Sequence, residues 1–149
     1  MPAVRHLCTF FLDDLYFGIE VSKVQEVILY QEMTRVPLAP PVVRGLINLR
    51  GHIVTAIDMR RRLDLPALPA DKRPMNVVIR TSDGPVSLLV DEIGDVLEVD
   101  ADTYERPPEI LRGAARDLIQ GAYKLDGRLL LTLNSERAAS VRTMNPESN

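Results

Sequence analysis

Val43-Arg44-Gly45-Leu46-Ile47-Asn48-Leu49-Arg50-Gly51-His52-Ile53-Val54-Thr55-Ala56-Ile57-Asp58 reads as two short apolar runs, 47–49 and 53–57, about a turn at Gly51. Slid along the chain until Gly45 falls on Gly121, this stretch matches a second one of the same design. Leu49 then falls on Leu125 and Gly51 on Gly127, while Ile53, Val54 and Ile57 fall on Leu129, Leu130 and Leu133. Upstream, laying Phe10 on Ile79 also places Asp14 on Asp83, Phe17 on Val86 and Ile19 on Leu88. Val21, Val24 and Val27 then fall on Val90, Ile93 and Val96. Chance is the competing explanation, since β-proteins reuse Val and Gly, but matched spacings favour an internal duplication. Each copy is small enough that a lone core is marginal. The two copies are therefore expected to share an apolar seam, and a groove between such units is a natural binding site.

Strands are expected at 7–12, 16–19, 27–30, 47–49, 53–57, 75–81, 86–90, 96–99, 122–125 and 128–133, where Val, Ile and Leu cluster between turn residues. Asp126-Gly127 marks a tight hairpin and Ser82-Asp83-Gly84 another, because Gly tolerates positive φ. Val21, Val24 and Val27 recur at spacing three, and Ser22 with Gln25 fits a capping box, which predicts a turn or two of helix. Further short helices are expected at 59–63 and from Ser135 to about Val141. The stretch LPALPADKRP at 65–74 reads as a connector and 142–149 as a frayed tail. Residues 7–141 thus form one domain, with repeat halves 7–64 and 75–141 between which strands can be exchanged.

The chain has 149 residues, 46% apolar and 26% charged, which is ordinary for a soluble globular protein. It has no Trp, only three Phe and four Tyr, and a net charge of −3. This argues against a stacked-base platform and against bulk attraction to nucleic acid or anionic lipid. A lone Cys8 excludes a disulfide framework and suits the cytosol. The N-terminus lacks the apolar stretch of a signal peptide, and no apolar run approaches the roughly 20 residues of a membrane helix.

No phosphate loop, zinc-protease motif, paired-cysteine motif or nucleophile elbow occurs. His6 and His52 read as solvated surface residues and Cys8 as a buried inert thiol. No catalytic residue, cofactor or metal is therefore expected. The segment 91–109 carries eight acids against Arg106 alone. It lacks EF-hand ligand spacing and reads as a solvated face or a patch for a basic partner. The segment 44–62 holds five Arg against Asp58 alone, suited to a partner's carboxylates. One segment near +4 and another near −7 suit contacts between unlike protein modules.

The block 17–27, FGIEVSKVQEV, resembles the second strand and short helix of CheW-like domains. VPLAPP at 36–41, VRGLINLRG at 43–51 and the run 53–58 after it carry the most specific part of the resemblance, a G-x-x-N-L-R-G-x-I…D pattern. Leu89-Val90-Asp91, then Ile93 and Asp95-Val96-Leu97, resemble a later family signature. Ser87 departs from it, since many members carry Gly there. The resemblance spans about 7–141. It implies an all-β fold of two intertwined five-stranded SH3-like β-barrels with a few short helices, and no catalysis. It also implies a cytoplasmic scaffold, recruited to the inner membrane face through receptors. Its partners would be the regulatory domain of a CheA-type histidine kinase and the helical cytoplasmic tip of methyl-accepting chemotaxis receptors, with weak self-association in rings.

On that footing Val24, Val27, Ile93 and Val96 are the expected lining of a groove that takes a receptor helix face, ordinary core being the alternative for each. Glu26 and Arg50 are expected to pair or to contact a partner directly. The kinase is expected at an apolar barrel end, with Met75 and the Gly121 and Gly127 hairpin as candidates. Gly45 is a further candidate there, although it and Gly51 read first as backbone necessities. A pilus or surface-motility pathway is an alternative setting, and a small nucleic-acid-binding β-barrel an alternative class.

Overall fold

The computed structural model describes residues 3–109 and 113–140. Its strands run in chain order β1 (Val4–Leu12), β2 (Leu15–Glu20), β3 (Val24–Ile28), β4 (Val43–Leu49), β5 (His52–Asp58), β6 (Met75–Thr81), β7 (Gly84–Val90), β8 (Glu92–Asp100), β9 (Tyr104–Glu105), β10 (Ile119–Leu125) and β11 (Arg128–Leu133). Three short helices, α1 (Met59–Arg62), α2 (Gly113–Leu118) and α3 (Ser135–Ala139), punctuate them. The strands form two sheets, one ordered β8-β1-β2-β11-β10-β9 and the other β3-β6-β7-β5-β4.

The two sheets are built to one plan. In each, a hairpin (β1-β2 or β6-β7) lies between an antiparallel neighbour and a parallel one, and the register repeats as the sequence match requires. Val24 pairs with Ile79 as Ile93 pairs with Phe10, and Ile57 faces Leu88 as Leu133 lies one step beyond Thr132 opposite Gly18. Gly45 pairs with Ala56 after an irregularity, and Gly121 pairs with Thr132 after its counterpart. The hairpins are exchanged: β1-β2, from the first copy, sits among strands of the second, and β6-β7 sits among strands of the first. Two intertwined five-stranded SH3-like units result, the first extended by β9, a two-residue strand that the sequence did not signal.

Exchange explains why the hairpin strands are apolar on both faces. Along β6, Val77 and Ile79 enter the core shared by the units, while Val78 enters the core of the second unit with Ile47, Leu49, Val54 and Leu89. The shared core holds Phe10 stacked on Phe17 at 5.7 Å, with Ile57, Met59, Leu88 and Ala138 around them. Leu7, Tyr16, Tyr123 and Leu130 fill the first unit.

The turn or two of helix expected at Val21–Val27 covers only the start of that stretch. Only Val21–Lys23 makes a 3-10 turn, its preceding residue Glu20 gives no side-chain cap, and Val24 already begins β3. The spacing of three has another cause. A bulge between Val24 and Glu26 inserts one residue, so Val24 and Val27 face the same side, opposite Ile79 and Val77. The same device puts Ile93 and Val96 on one side of β8, opposite Phe10 and Cys8. The two other expected helices, α1 and α3, form where expected, each behind a side-chain cap: Asp58 accepts from the Arg61 N–H, and Asn134 from the Arg137 N–H, whereas α2 was not expected. The expected end of the last helix, Val141, lies outside the described residues.

Candidate functional site

Arg50-Gly51 links Leu49 to its cross-strand partner His52, and both turn residues have positive φ, 53° and 90°. Such a primed turn matches the twist of the strands, and Gly supplies one of the two positions without strain. The Asn48 side chain accepts the Gly51 N–H at 2.8 Å. This is the local reason for an Asn-Leu-Arg-Gly sequence. The turn aims Arg50 across the mouth of the second unit, where its guanidinium donates to the Glu26 carboxylate on β3. That bond holds the Glu26 carboxyl below its ordinary range against the opposing effect of burial. Whatever this pair contributes to stability is therefore present above the usual carboxylate range and fades as pH falls through the lowered value.

The four expected groove residues do not lie together on an open surface. Val24 is 9% exposed and Ile93 half-buried, and both pack into the shared core. Val27 is 42% exposed and Val96 60%. By register these two occupy equivalent places on the edge strands of the two sheets, each at the rim of the shared core.

The expected kinase contacts separate in the same way. Gly45 is buried, and a Cβ there would stand 2.7 Å from the Thr34 carbonyl, on the bridge that joins Thr34 to Leu46. At Gly121 a Cβ would collide with the Tyr104 ring and approach the Glu105 carbonyl to 2.6 Å. Close backbone approach explains both glycines, and neither offers a partner a surface. Met75 is half-buried against the shared core, whereas Gly127 lies exposed in its turn at φ 82°. Gly45→Ala is expected to cost about 1–3 kcal/mol by prising Thr34 from β4, read as a lower denaturation midpoint.

Sequence reasoning missed one cluster. Arg60 donates from Nε and Nη2 to the two Asp91 oxygens at 2.8 and 2.7 Å, and from Nη1 to the Pro66 carbonyl at 2.7 Å. Asp91 also accepts the Asp13 N–H at 2.7 Å. The fork ties α1, the end of β7 and the β1-β2 turn together. The match that lays Gly45 on Gly121 lays Arg60 on Glu136, its counterpart in the other unit. Glu136 accepts from the N–H and hydroxyl of Ser82, at the β6-β7 turn. Each exchanged hairpin is thus latched at its tip by the residue at the same place in the fold. Asp91 stood out in the sequence, but nothing there named Arg60 as its partner.

Ser87, the position that departs from the family pattern, is buried and donates to Asn76 Oδ1 at 2.7 Å, while the Asn76 amide holds the Leu29 carbonyl at 3.0 Å. The hydroxyl therefore ties the second hairpin to the segment after β3. His6 is exposed with Nε2 3.2 Å from Glu98, and His52 lies exposed beside the turn. Burial pushes the Cys8 thiol above its ordinary pKa, which makes it a poorer nucleophile. Among the described residues no three His, Cys, Asp or Glu side chains are grouped to hold a metal.

A fold of two related units with exchanged hairpins, and an Asn-Leu-Arg-Gly turn braced against the first edge strand, can be compared with known proteins. The sequence profile of the CheW-like domain matches residues 6–142. The chain belongs to the CheW-like family. Chemotaxis protein CheW of Klebsiella aerogenes is 30% identical over 135 residues, covering 91% of this chain and 81% of that protein. Chemotaxis protein CheW of Bacillus subtilis is 32% identical over 124 residues, covering 83% and 80%. The scaffolding protein TtCheW from Thermoanaerobacter tengcongensis has the same fold, with a TM-score of 0.81 at 24% identity over 93% of this chain and 92% of that one. Within this CheW-like domain Arg50 of the Arg50–Glu26 brace, Val27 and Val96 are turned outward.

Proposed function

We propose that this CheW-like protein is a chemosensory adaptor, acting by binding rather than turnover. It couples the regulatory domain of a CheA-type histidine kinase to the cytoplasmic tip of methyl-accepting chemoreceptors, and gathers at the inner membrane face through those receptors. The observation that carries this reading is the family match over residues 6–142, which spans both units and both exchanged hairpins. The adaptor needs no anchor of its own, and among the described residues no helix is long and apolar enough to cross a membrane.

Val27 and Val96 are the receptor contacts that fit the geometry, as exposed apolar side chains at the rim of the shared core that a helix face could cover. Arg50 and Glu26 position the second unit's edge strand beside Val27. For the kinase, the exposed turn at Gly127 remains a candidate, and weak contacts at the barrel ends would allow rings of modules.

Val27→Asp and Val96→Asp are each expected to weaken capture of a soluble receptor-tip fragment at least tenfold while leaving the melting transition in place. Capture at full strength by both variants would remove the rim from the receptor site.

A further inference from the structure

The loop after β3, the start of α1 and the connector 65–74 enclose a surface cavity of about 640 Å³, lined by five cations and two carboxylates. Arg60 and Asp91 in its wall satisfy each other. Arg44 stands 3.6 Å from Asp58, which leaves Arg35, Arg61 and Lys72 exposed, with no carboxylate within 4 Å among the described residues. This positive charge sits on a protein of net charge −3, so the surface as a whole does not explain it.

Nor does the fold require it, because the duplication supplies an internal control. The equivalent cavity of the other unit, about 350 Å³, carries Gln120 where the first has Arg44, Asn134 for Asp58 and Glu136 for Arg60. Its two cations, Arg5 and Lys23, are matched by Glu20 and Glu136, and Arg5 is paired to Glu20 at 2.6 Å. Two cavities of common origin therefore differ in charge: the first has more cations than carboxylates in its lining, whereas in the second the two are equal in number.

A second observation concerns the rim. Leu38 lies fully exposed, with φ at 65°, between Pro37 and the prolines at 40 and 41. A branched side chain in the left-handed region is strained, and an exposed leucine gains nothing from water. The prolines restrict the loop and hold the leucine in place beside the cations.

We propose that this cavity is a docking site for an extended acidic peptide segment of a partner protein, its carboxylates meeting Arg35, Arg61 and Lys72 and an apolar side chain packing on Leu38. The site uses none of Val27, Val96, Arg50 or Gly127, so it stands apart from the receptor and kinase contacts assigned above. The lack of aromatic side chains in the lining disfavours a nucleotide.

The test uses the full chain and a fluorescein-labelled peptide, Gly-Asp-Glu-Leu-Glu-Asp-Leu-Gly, read by anisotropy. Arg61→Gln with Lys72→Gln, both exposed, is expected to weaken binding about tenfold, as is replacement of the peptide's acids by their amides. Leu38→Asn is expected to weaken it while raising the melting temperature, and Lys23→Gln in the other cavity is expected to change nothing. Equal binding of the amide peptide, indifference to the double variant, or absence of binding overturns the proposal. So does displacement by inorganic phosphate at constant ionic strength, which would mark a simple anion site. Self-association abolished by the same double variant overturns it too, and would put the acidic stretch 91–109 of a second copy in the cavity.

Discussion

Asp91→Ala is expected to lose about 3 kcal/mol of stability, the low end of the range for removing one partner of a buried ion pair, because this pair is partly exposed. The side chains of Arg60 and Asp91 are only 12% and 14% exposed, and the carboxylate takes both prongs of the guanidinium fork. Its removal takes both prongs of the fork from Arg60, leaving only the more distant Asp13 carboxylate at 3.7 Å, and strips the Asp13 N–H of its acceptor, so the β1-β2 hairpin loses its latch. Arg60→Ala is expected to cost as much by stranding Asp91, while the double variant costs less than the sum, because the second change strands nothing further. Denaturant titration of the three variants gives the coupling directly. The pH dependence follows from the same contacts. Burial alone would raise the Asp91 carboxyl, but the Arg60 fork and the Asp13 N–H outweigh it and hold it below its ordinary value. A group depressed on folding stabilises the native state above its unfolded pKa, about 3.9 for Asp. The gap between wild type and Asp91→Ala is thus constant from neutral pH down to the ordinary carboxylate range. It closes as pH falls through the lowered folded value.

Phe10→Ala is expected to cost a further large amount, about 3–5 kcal/mol, as the value of a fully buried ring lost from a packed interior. Phe10 is wholly buried, stacked on Phe17, with Ile93 opposite it on the neighbouring strand. Its strand belongs to the first unit, yet its ring lies in the core common to both. The second unit's Ile79 and Leu88 line that same core, so the loss is felt by the whole molecule. Calorimetry should show a single transition that moves down intact, with calorimetric and van't Hoff enthalpies in agreement. Two separated transitions in the variant would mean that the units fold independently, contrary to the exchange of hairpins.

Both variants bear on how much could be read from the chain. The matches of Phe10 to Ile79 and of Gly45 to Gly121 recur as strand pairings, because a duplicated pattern of apolar positions must bury itself the same way twice. Intertwining was implied by the family resemblance, while the residue pattern alone left the exchange of β1-β2 with β6-β7 as a possibility: strand content is local, but a strand's neighbours are chosen by contacts far along the chain. Val21, Val24 and Val27 show how periodicity misleads. A bulge gives a strand the spacing of a helix, and bulges depend on the partner strand. The Arg50–Glu26 pair was expected from the family resemblance, and the turn through Asn48 and Gly51 is what presents Arg50 to it. Gly45 was legible as a glycine that the backbone needs, and the close approach at Gly121 was not. The Arg60–Asp91 fork left no trace, since nothing local links two positions so far apart in the chain.

The adaptor reading stands or falls on a reconstitution. A CheA-type kinase and receptor-bearing membranes are mixed with and without the purified protein, and transfer of radiolabelled phosphate from ATP to the kinase is followed as attractant is added. The account predicts that phosphorylation comes under attractant control only when the protein is present. Identical kinase traces in its presence and absence, with all three components shown to be folded, would contradict it.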